Sequence, residues 1–299
     1  MTRDLQNMVT VITGASSGIG KALAIDLSGR GARLVLAARR FELLQELNRS
    51  LGGKHLCIKA DVSSADDCEM LINETLNHYG RIDTLVCNAG YGLARSFDKM
   101  SREDVRHIFD ANLIGTVECC RHAVAAMKHQ SPLQGYRGQL MMVSSACARR
   151  GLPFFSTYAA TKAAQLSLAE GLRIELRPFG IAVTSVHPML ADTDFFSTVV
   201  EVSGMSPNAL ANGSRQTAAT VAAKMVRAIQ RPRGEVWPKA FSRLALTISA
   251  SIPSIVDIVM ARICNRIVQE NEAADRPVDV APRQKPHREQ RTEANASVS

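Results

Sequence analysis

Aromatic side chains are scarce in this chain: they make up 5% of its 299 residues, with one tryptophan among them. A surface built to stack nucleic-acid bases needs aromatics interleaved with a concentrated basic stripe. The formal charge is +8, but the excess is spread over many segments, and residues 270–299 hold five basic and six acidic side chains. Nucleic acid is therefore not an expected partner. Metal patterns are missing too. The seven cysteines (Cys57, Cys68, Cys87, Cys119, Cys120, Cys147 and Cys264) include no CxxC pair, and the seven histidines have no HxH or HExxH spacing. An odd, scattered set of thiols excludes a disulfide framework and fits a reduced, cytoplasmic protein. No long apolar segment follows the first arginine in "MTRDLQNMVTVITG", so no secretory signal is expected.

What the chain does have is a regular alternation of apolar runs and helical patterns, with 46% hydrophobic residues to fill a core. Short β-branched or apolar runs at 9–13, 33–37, 54–60, 82–87, 139–144 and 181–186 read as buried strands, with a short last one at 234–237. Between them, 21–30, 41–51, 65–79, 101–130 (broken near Gly115), 157–177 and 218–230 read as helices. Short links between alternating strands and helices predict an α/β fold: a doubly wound parallel sheet of Rossmann type with helices on both faces. One such domain spans 1–240. Residues 241–269 follow as an apolar helical extension with basic flanks, and 270–299 as a polar tail with too few apolar side chains to fold.

The stretch Thr13-Gly-Ala-Ser-Ser-Gly-Ile-Gly20 follows the first strand directly. Gly14, Gly18 and Gly20 let the backbone turn tightly and approach a pyrophosphate, and the following helix start offers free N–H groups to it. An acidic residue ending the second strand would hold a free ribose 2′-hydroxyl; the strand here ends Leu36-Ala-Ala-Arg-Arg40. Arg39 and Arg40 suit a 2′-phosphate instead, with Ser16 adding a hydrogen bond, so NADP(H) is expected over NAD(H).

"TGASSGIG" resembles the cofactor loop of the short-chain dehydrogenase/reductase family, and the resemblance runs over roughly residues 8–200. It implies cofactor contacts from Gly14, Ser16, Ser17, Gly18, Ile19 and Gly20, from Asp61-Val62 at the adenine, and from Asn88-Ala89-Gly90 beside the sheet. Cys87 stands where the family often has a second asparagine. In "VHPMLADTDFF", Met189 replaces the family's usual glycine after proline; Pro188, the Leu190 backbone and Thr193 are expected to hold the nicotinamide end.

Tyr158 and Lys162, in "YAATK", lie one helical turn apart. A nearby cation favours the phenolate and lowers a tyrosine's pKa from about 10, so Lys162 is expected to tune Tyr158 as general acid/base and to reach the nicotinamide ribose. Ser145, thirteen residues before Tyr158, is expected to orient a substrate carbonyl. Ser144 competes for that role, and the resemblance selects Ser145. Asn112 is expected to hold a water linking Lys162 to solvent. Asn112, Ser145, Tyr158 and Lys162 match the family's four catalytic positions in order, which implies an oxidoreductase interconverting a ketone or aldehyde with an alcohol. A non-catalytic cofactor sensor, or an isomerase or epimerase on the same fold, is the alternative.

The expected pocket walls are Tyr91, Leu93, Cys147, Leu152, Phe154, Phe155, Met189 and the segment 195–210. They are mainly apolar, which suits a lipophilic small-molecule carbonyl or alcohol. In 241–268, Pro253 and Asp257 interrupt the apolar run and disfavour a spanning helix. Lys239, Arg243, Arg262 and Arg266 flank it, so peripheral contact with an anionic membrane surface competes with the favoured role of closing the substrate mouth or a dimer contact. The resemblance further implies a homodimer or homotetramer built on two long helices, one of them carrying Tyr158.

Overall fold

Strand β1 (Val9–Thr13) is buried along its whole length, and its neighbours on both sides are parallel to it. In the computed structural model, which describes residues 2–189, 191–192 and 216–274, seven parallel strands form one sheet in the order β3-β2-β1-β4-β5-β6-β9. These are β2 (Arg33–Ala38), β3 (Leu56–Lys59), β4 (Thr84–Cys87), β5 (Gly138–Val143), β6 (Ile181–Val186) and β9 (Glu235–Val236). A separate two-stranded pair joins β7 (Ala191–Asp192) to β8 (Gln216–Thr217). The expected doubly wound sheet is present, and the strand order reverses between β1 and β4, which opens a crevice at their carboxyl ends.

The side-chain alternation of the strands divides the core in two. Ile12, Leu34, Leu36, Met141 and Val186 face α1 (Gly18–Gly29) and α7 (Ala218–Gln230), where Leu23, Leu27, Val221, Met225 and Ile229 are fully buried or nearly so. Val11, Val35, Leu85, Leu140 and Val183 face the other way, onto α3 (Ala65–Tyr79), α5 (Gly115–His129) and α6 (Ser156–Glu175). Each such aliphatic side chain contributes about 1.5–3 kcal/mol relative to exposure. Helix starts carry local signals: Ser64 accepts from Asp67 N at 3.2 Å to cap α3, and Ser101 with Asp104 forms a capping box for α4 (Arg102–Phe109). The remaining helix on the sheet, α2 (Phe41–Ser50), packs Leu44 and Leu47 inward.

The region read as one helix with a break near Gly115 is α4, a π-helical turn over Asp110–Ile114, and α5. The wider turn is centred on Asn112, which is fully buried. The strand expected over 54–60 is shorter, because Asn48 ties down both the N–H and the carbonyl of His55 ahead of it.

Helices α8 (Ala240–Ser251) and α9 (Pro253–Ala274) follow the sheet, so helix continues five residues past the expected boundary at 269. Among the described residues no single helix is long and apolar enough to cross a membrane, and the pair meets at a bend of 106°. Helix α8 lies against the turn Ala146–Ala148, Arg243 pairs with Glu235 at 3.7 Å, and Arg150 pairs with Asp257.

Candidate active site

The candidate residues sit just beyond the carboxyl ends of the strands. Gly14 takes a φ of +64° after β1, and a Cβ there would stand 2.9 Å from the Ala89 Cα. A Cβ on Gly20 would lie 2.4 Å from the Gly14 carbonyl oxygen, so α1 is seated directly on the loop. Asn88 clamps the loop from β4: its Nδ2 donates to the carbonyls of Thr13 (3.0 Å) and Gly14 (3.2 Å). The Thr13 hydroxyl oxygen accepts from the N–H groups of Asn88 and Ala89 at 3.0 and 3.1 Å. Ser17 precedes α1 without capping it through its side chain, and the first turn holds no acid. Gly18 opens that turn, and Ile19 packs its side chain against the core. Its N–H groups and positive dipole end are thus available to an anion.

The two arginines part company. Arg40 Nη2 donates to the hydroxyls of Ser16 (3.2 Å) and Ser17 (2.8 Å), which lays its guanidinium over the loop. Arg39 points outward and lies 3.7 Å from Asp61 Oδ2. Burial opposes ionisation of Asp61, but hydrogen bonds from Ser63 and the Arg39 charge hold its carboxyl below the usual range. The Val62 carbonyl accepts from Cys68 Sγ at 3.3 Å and packs against Gly115, which joins this edge of the crevice to α5.

On the other side, β5 delivers two adjacent serines with different tasks. Ser144 is buried and donates to the Lys162 carbonyl at 2.8 Å. Ser145 Oγ accepts from Cys147 N (3.3 Å) and Cys147 Sγ (3.0 Å) and is hydrogen-bonded to Tyr158. The Tyr158 ring packs edge-on to Phe155, 6.3 Å between centroids.

Lys162 differs from the expectation. Its Nζ lies 5.7 Å from the Tyr158 ring centre, and it donates to the carbonyl of Val143 at 2.9 Å and to Gln165 Oε1 at 3.1 Å. Burial, with Cys147 in support, pushes the Tyr158 phenol well above its ordinary value against the Ser145 hydrogen bond, and so outweighs the nearby Lys162 charge. Burial brings Lys162 down to about 8. Asn112 differs as well. Its Nδ2 donates to Tyr91 O (2.9 Å) and Thr161 Oγ1 (3.2 Å), and its Oδ1 accepts from Tyr91 N at 2.9 Å. Both amide hydrogens are spent inside the protein, and Gly90 packs so closely that a Cβ there would stand 2.7 Å from Oδ1. Asn112 therefore anchors the Tyr91 backbone through its side chain.

Pro188 is buried, and its carbonyl accepts from Ala146 N at 2.9 Å. His187 is a packing residue. It is fully buried, stacks on Trp237 at 4.4 Å, donates from Nδ1 to Ser145 O (3.2 Å) and accepts at Nε2 from Ser185 Oγ (3.0 Å). Leu93 is fully buried and so lines no open wall, whereas Leu152 and Met189 are exposed. Phe154 holds a φ of +65° and its carbonyl accepts from Arg95 N at 2.8 Å, a strained backbone position beside the site. Leu190, Thr193 and the expected wall segment 195–210 lie outside the described residues. Two shallow hollows beside Tyr136 and Pro232 lie at the amino-terminal ends of β5, β6 and β9, away from this crevice.

The order of elements, the clamped loop and the serine–tyrosine–lysine group coincide with a family match: a model described as short chain dehydrogenase covers residues 8–203. The chain belongs to the short-chain dehydrogenase family. Relatives of this short-chain dehydrogenase include "11-beta-hydroxysteroid dehydrogenase-like 4A" of Arabidopsis thaliana, 34% identical over 83% of this chain and 82% of that protein. "11-beta-hydroxysteroid dehydrogenase-like 3" of the same plant is 39% identical over 62% of this chain, a match spanning 60% of that relative's length. "Uncharacterized oxidoreductase YxnA" of Bacillus subtilis is 31% identical over 92% of this chain and 76% of that protein. The family acts on CH–OH groups with NAD(P). The residues fit such a dinucleotide: an uncapped, acid-free helix start, a loop too close to α1 to admit a Cβ at Gly20, and a guanidinium laid across its serines.

Proposed function

We propose that this short-chain dehydrogenase is an NADP(H)-dependent reductase of a lipophilic ketone, or dehydrogenase of the matching secondary alcohol. The observation that carries the reading is the contact of Ser145 with Tyr158 beside a buried Lys162, opposite a loop overlaid by Arg40. The nicotinamide supplies or accepts the hydride. Tyr158, held protonated by burial, donates the proton to the carbonyl oxygen, and Ser145 steadies the charge that develops there. The buried Lys162 ammonium supplies positive potential beneath the phenol and a donor for the ribose. Arg40, with Arg39 at the outer edge, supports a 2′-phosphate, and β2 ends without a carboxylate to repel it. Asn112 supports the site by fixing the Tyr91 backbone.

The walls Leu152, Phe154, Phe155 and Met189 are apolar, and the plant relatives are named for hydroxysteroid dehydrogenases. A flat, fused-ring ketone is therefore the substrate class proposed. Helices α8 and α9 carry exposed Leu244, Ile248, Ile255 and Ile258 beside Arg243 and Arg262, which suits peripheral contact with an anionic membrane near the turn after Ser145. Self-association through α5 and α6 is proposed on the exposure of Ile174 on α6.

The test is NADPH and NADH oxidation, followed by absorbance, against a panel of steroid-like, aliphatic and aromatic ketones. NADPH is expected to be preferred, Arg40→Ala to narrow the preference about tenfold or more, and Tyr158→Phe to abolish turnover while cofactor still binds. Full turnover in Tyr158→Phe would reject the assignment.

A further inference from the structure

Gln165 lies three residues beyond Lys162 on α6 and is fully buried. Its side chain is the meeting point of three groups. Oε1 accepts from Lys162 Nζ at 3.1 Å, while Nε2 donates to the Asn112 main-chain carbonyl at 2.6 Å and to Thr116 Oγ1 at 2.9 Å. Thr116 Oγ1 itself donates to the Asn112 carbonyl at 2.9 Å. The amide can sit only one way round: flipped, its NH₂ would face an ammonium and its oxygen a carbonyl. The π-helical turn over Asp110–Ile114 presents the Asn112 carbonyl to this side chain, where a regular helix would aim it along its own axis.

The geometry points to Gln165 as a positioning residue of the reaction, one that bridges the Lys162 ammonium directly to the Asn112 carbonyl and closes this side of the lysine to a solvent relay. The inference rests on the reading of Tyr158 and Lys162 as the proton-handling pair. Among the described residues no carboxylate balances Lys162. The titratable groups that face it are Tyr158 on its own helix, Cys87 at the end of β4 and Cys147 in the turn after Ser145. Burial helps hold both thiols protonated, Cys87 also through its contact with Cys120. The charge is thus held by two oxygen dipoles, Val143 O and Gln165 Oε1. Gly90 flanks the same nitrogen, where a Cβ would stand 3.7 Å away. Loss of the Gln165 dipole leaves one of those two oxygens, and disfavours the ammonium.

The experiment titrates Lys162 in the full-length, cofactor-free protein by NMR of ¹³C-labelled lysine, with its resonance assigned by loss in Lys162→Met. The wild-type midpoint is expected near 8. Gln165→Met removes the acceptor, and Gln165→Asn withdraws it by one methylene. Both are expected to lower the midpoint by about one pH unit. Gln165→Glu sets a carboxylate against the ammonium and is expected to raise it by about the same amount. The alkaline fall of kcat should move with these midpoints while the KM for ketone stays level. A side chain that only fills space would not shift Lys162 in opposite directions, so equal midpoints, or shifts of one sign in all three variants, overturn the inference. Midpoints that move as expected in a protein without NADP(H)-dependent turnover would instead count against the proposed function.

Discussion

Gly20→Ala is the sharpest perturbation of the cofactor loop. The new Cβ would stand 2.4 Å from the Gly14 carbonyl oxygen and 2.6 Å from Asn88 Nδ2, roughly 1 Å short of an ordinary contact. Neither neighbour yields freely. The Gly14 carbonyl belongs to the backbone of the turn, and Asn88 Nδ2 is held by two carbonyls at 3.0 and 3.2 Å. Overpacking costs about 1–3 kcal/mol and a lost hydrogen bond about 1 kcal/mol, so about 2–4 kcal/mol is expected in all. If the loop moves, that cost emerges as about 30- to 1,000-fold weaker NADPH binding. If the loop holds, it emerges as a Tm lower by roughly 5–15 °C. Calorimetric titration with NADPH and a thermal melt together capture both. Gly29→Ala is the control on the same helix: nothing lies within 4 Å of its Cβ position, so binding should be unchanged and stability equal or up to about 1 kcal/mol higher. Gly20→Ala with NADPH affinity within about twofold of wild type and an unchanged Tm would refute the argument that close seating of α1 shapes the site.

Two further outcomes follow from the site's surroundings. Burial lowers His187 from 6.5 to about 4, against opposing contributions from its hydrogen bond to Ser145 and the Glu235 charge. The unfolded chain therefore binds the extra proton first as pH falls, and the protein is expected to lose about 3 kcal/mol between pH 6.5 and 4, with full stability above that window. Denaturant melts across this range should show a shallower fall for His187→Gln, and equal slopes would remove His187 as the cause. For the membrane contact, full-length protein should pellet with anionic vesicles, and Ile255→Asp with Ile258→Asp should abolish pelleting without changing turnover of a soluble ketone; unaltered pelleting would assign the exposed α8–α9 face another role.

The sheet was legible because its strands are short apolar runs bounded by turn residues, and the bounds of β1, β6 and α7 agree with the sequence reading. The order of Asn112, Ser145, Tyr158 and Lys162 along the chain was also legible. Their partners were not. A π-helical turn adds a residue without disturbing the apolar pattern of α4 and α5, so the break seemed to belong to Gly115 rather than to Asp110–Ile114. Arg39 and Arg40 look alike in sequence, and only the path of the chain after β2 decides which lies over Ser16 and Ser17. Gln165 shows in the sequence only as a polar residue on the buried face of α6. Its meaning depended on a carbonyl 53 positions away. Helical spacing makes Lys162 a neighbour of Tyr158, but spacing does not say that burial outweighs its charge.

The two serines that end β5 divide the molecule's freedom to change. Ser144 buckles the strand to α6 through the Lys162 carbonyl, while Ser145, His187 and Pro188 join the ends of β5 and β6. The groups proposed to handle the proton are thereby mounted on one stiff frame. Exposed Leu152 and Met189 stand outside it, on separate stretches of chain. An engineer could recut the walls for a new ketone and leave the chemistry where it is. The same partition would let a lineage of such enzymes diversify its substrates while the frame stayed fixed.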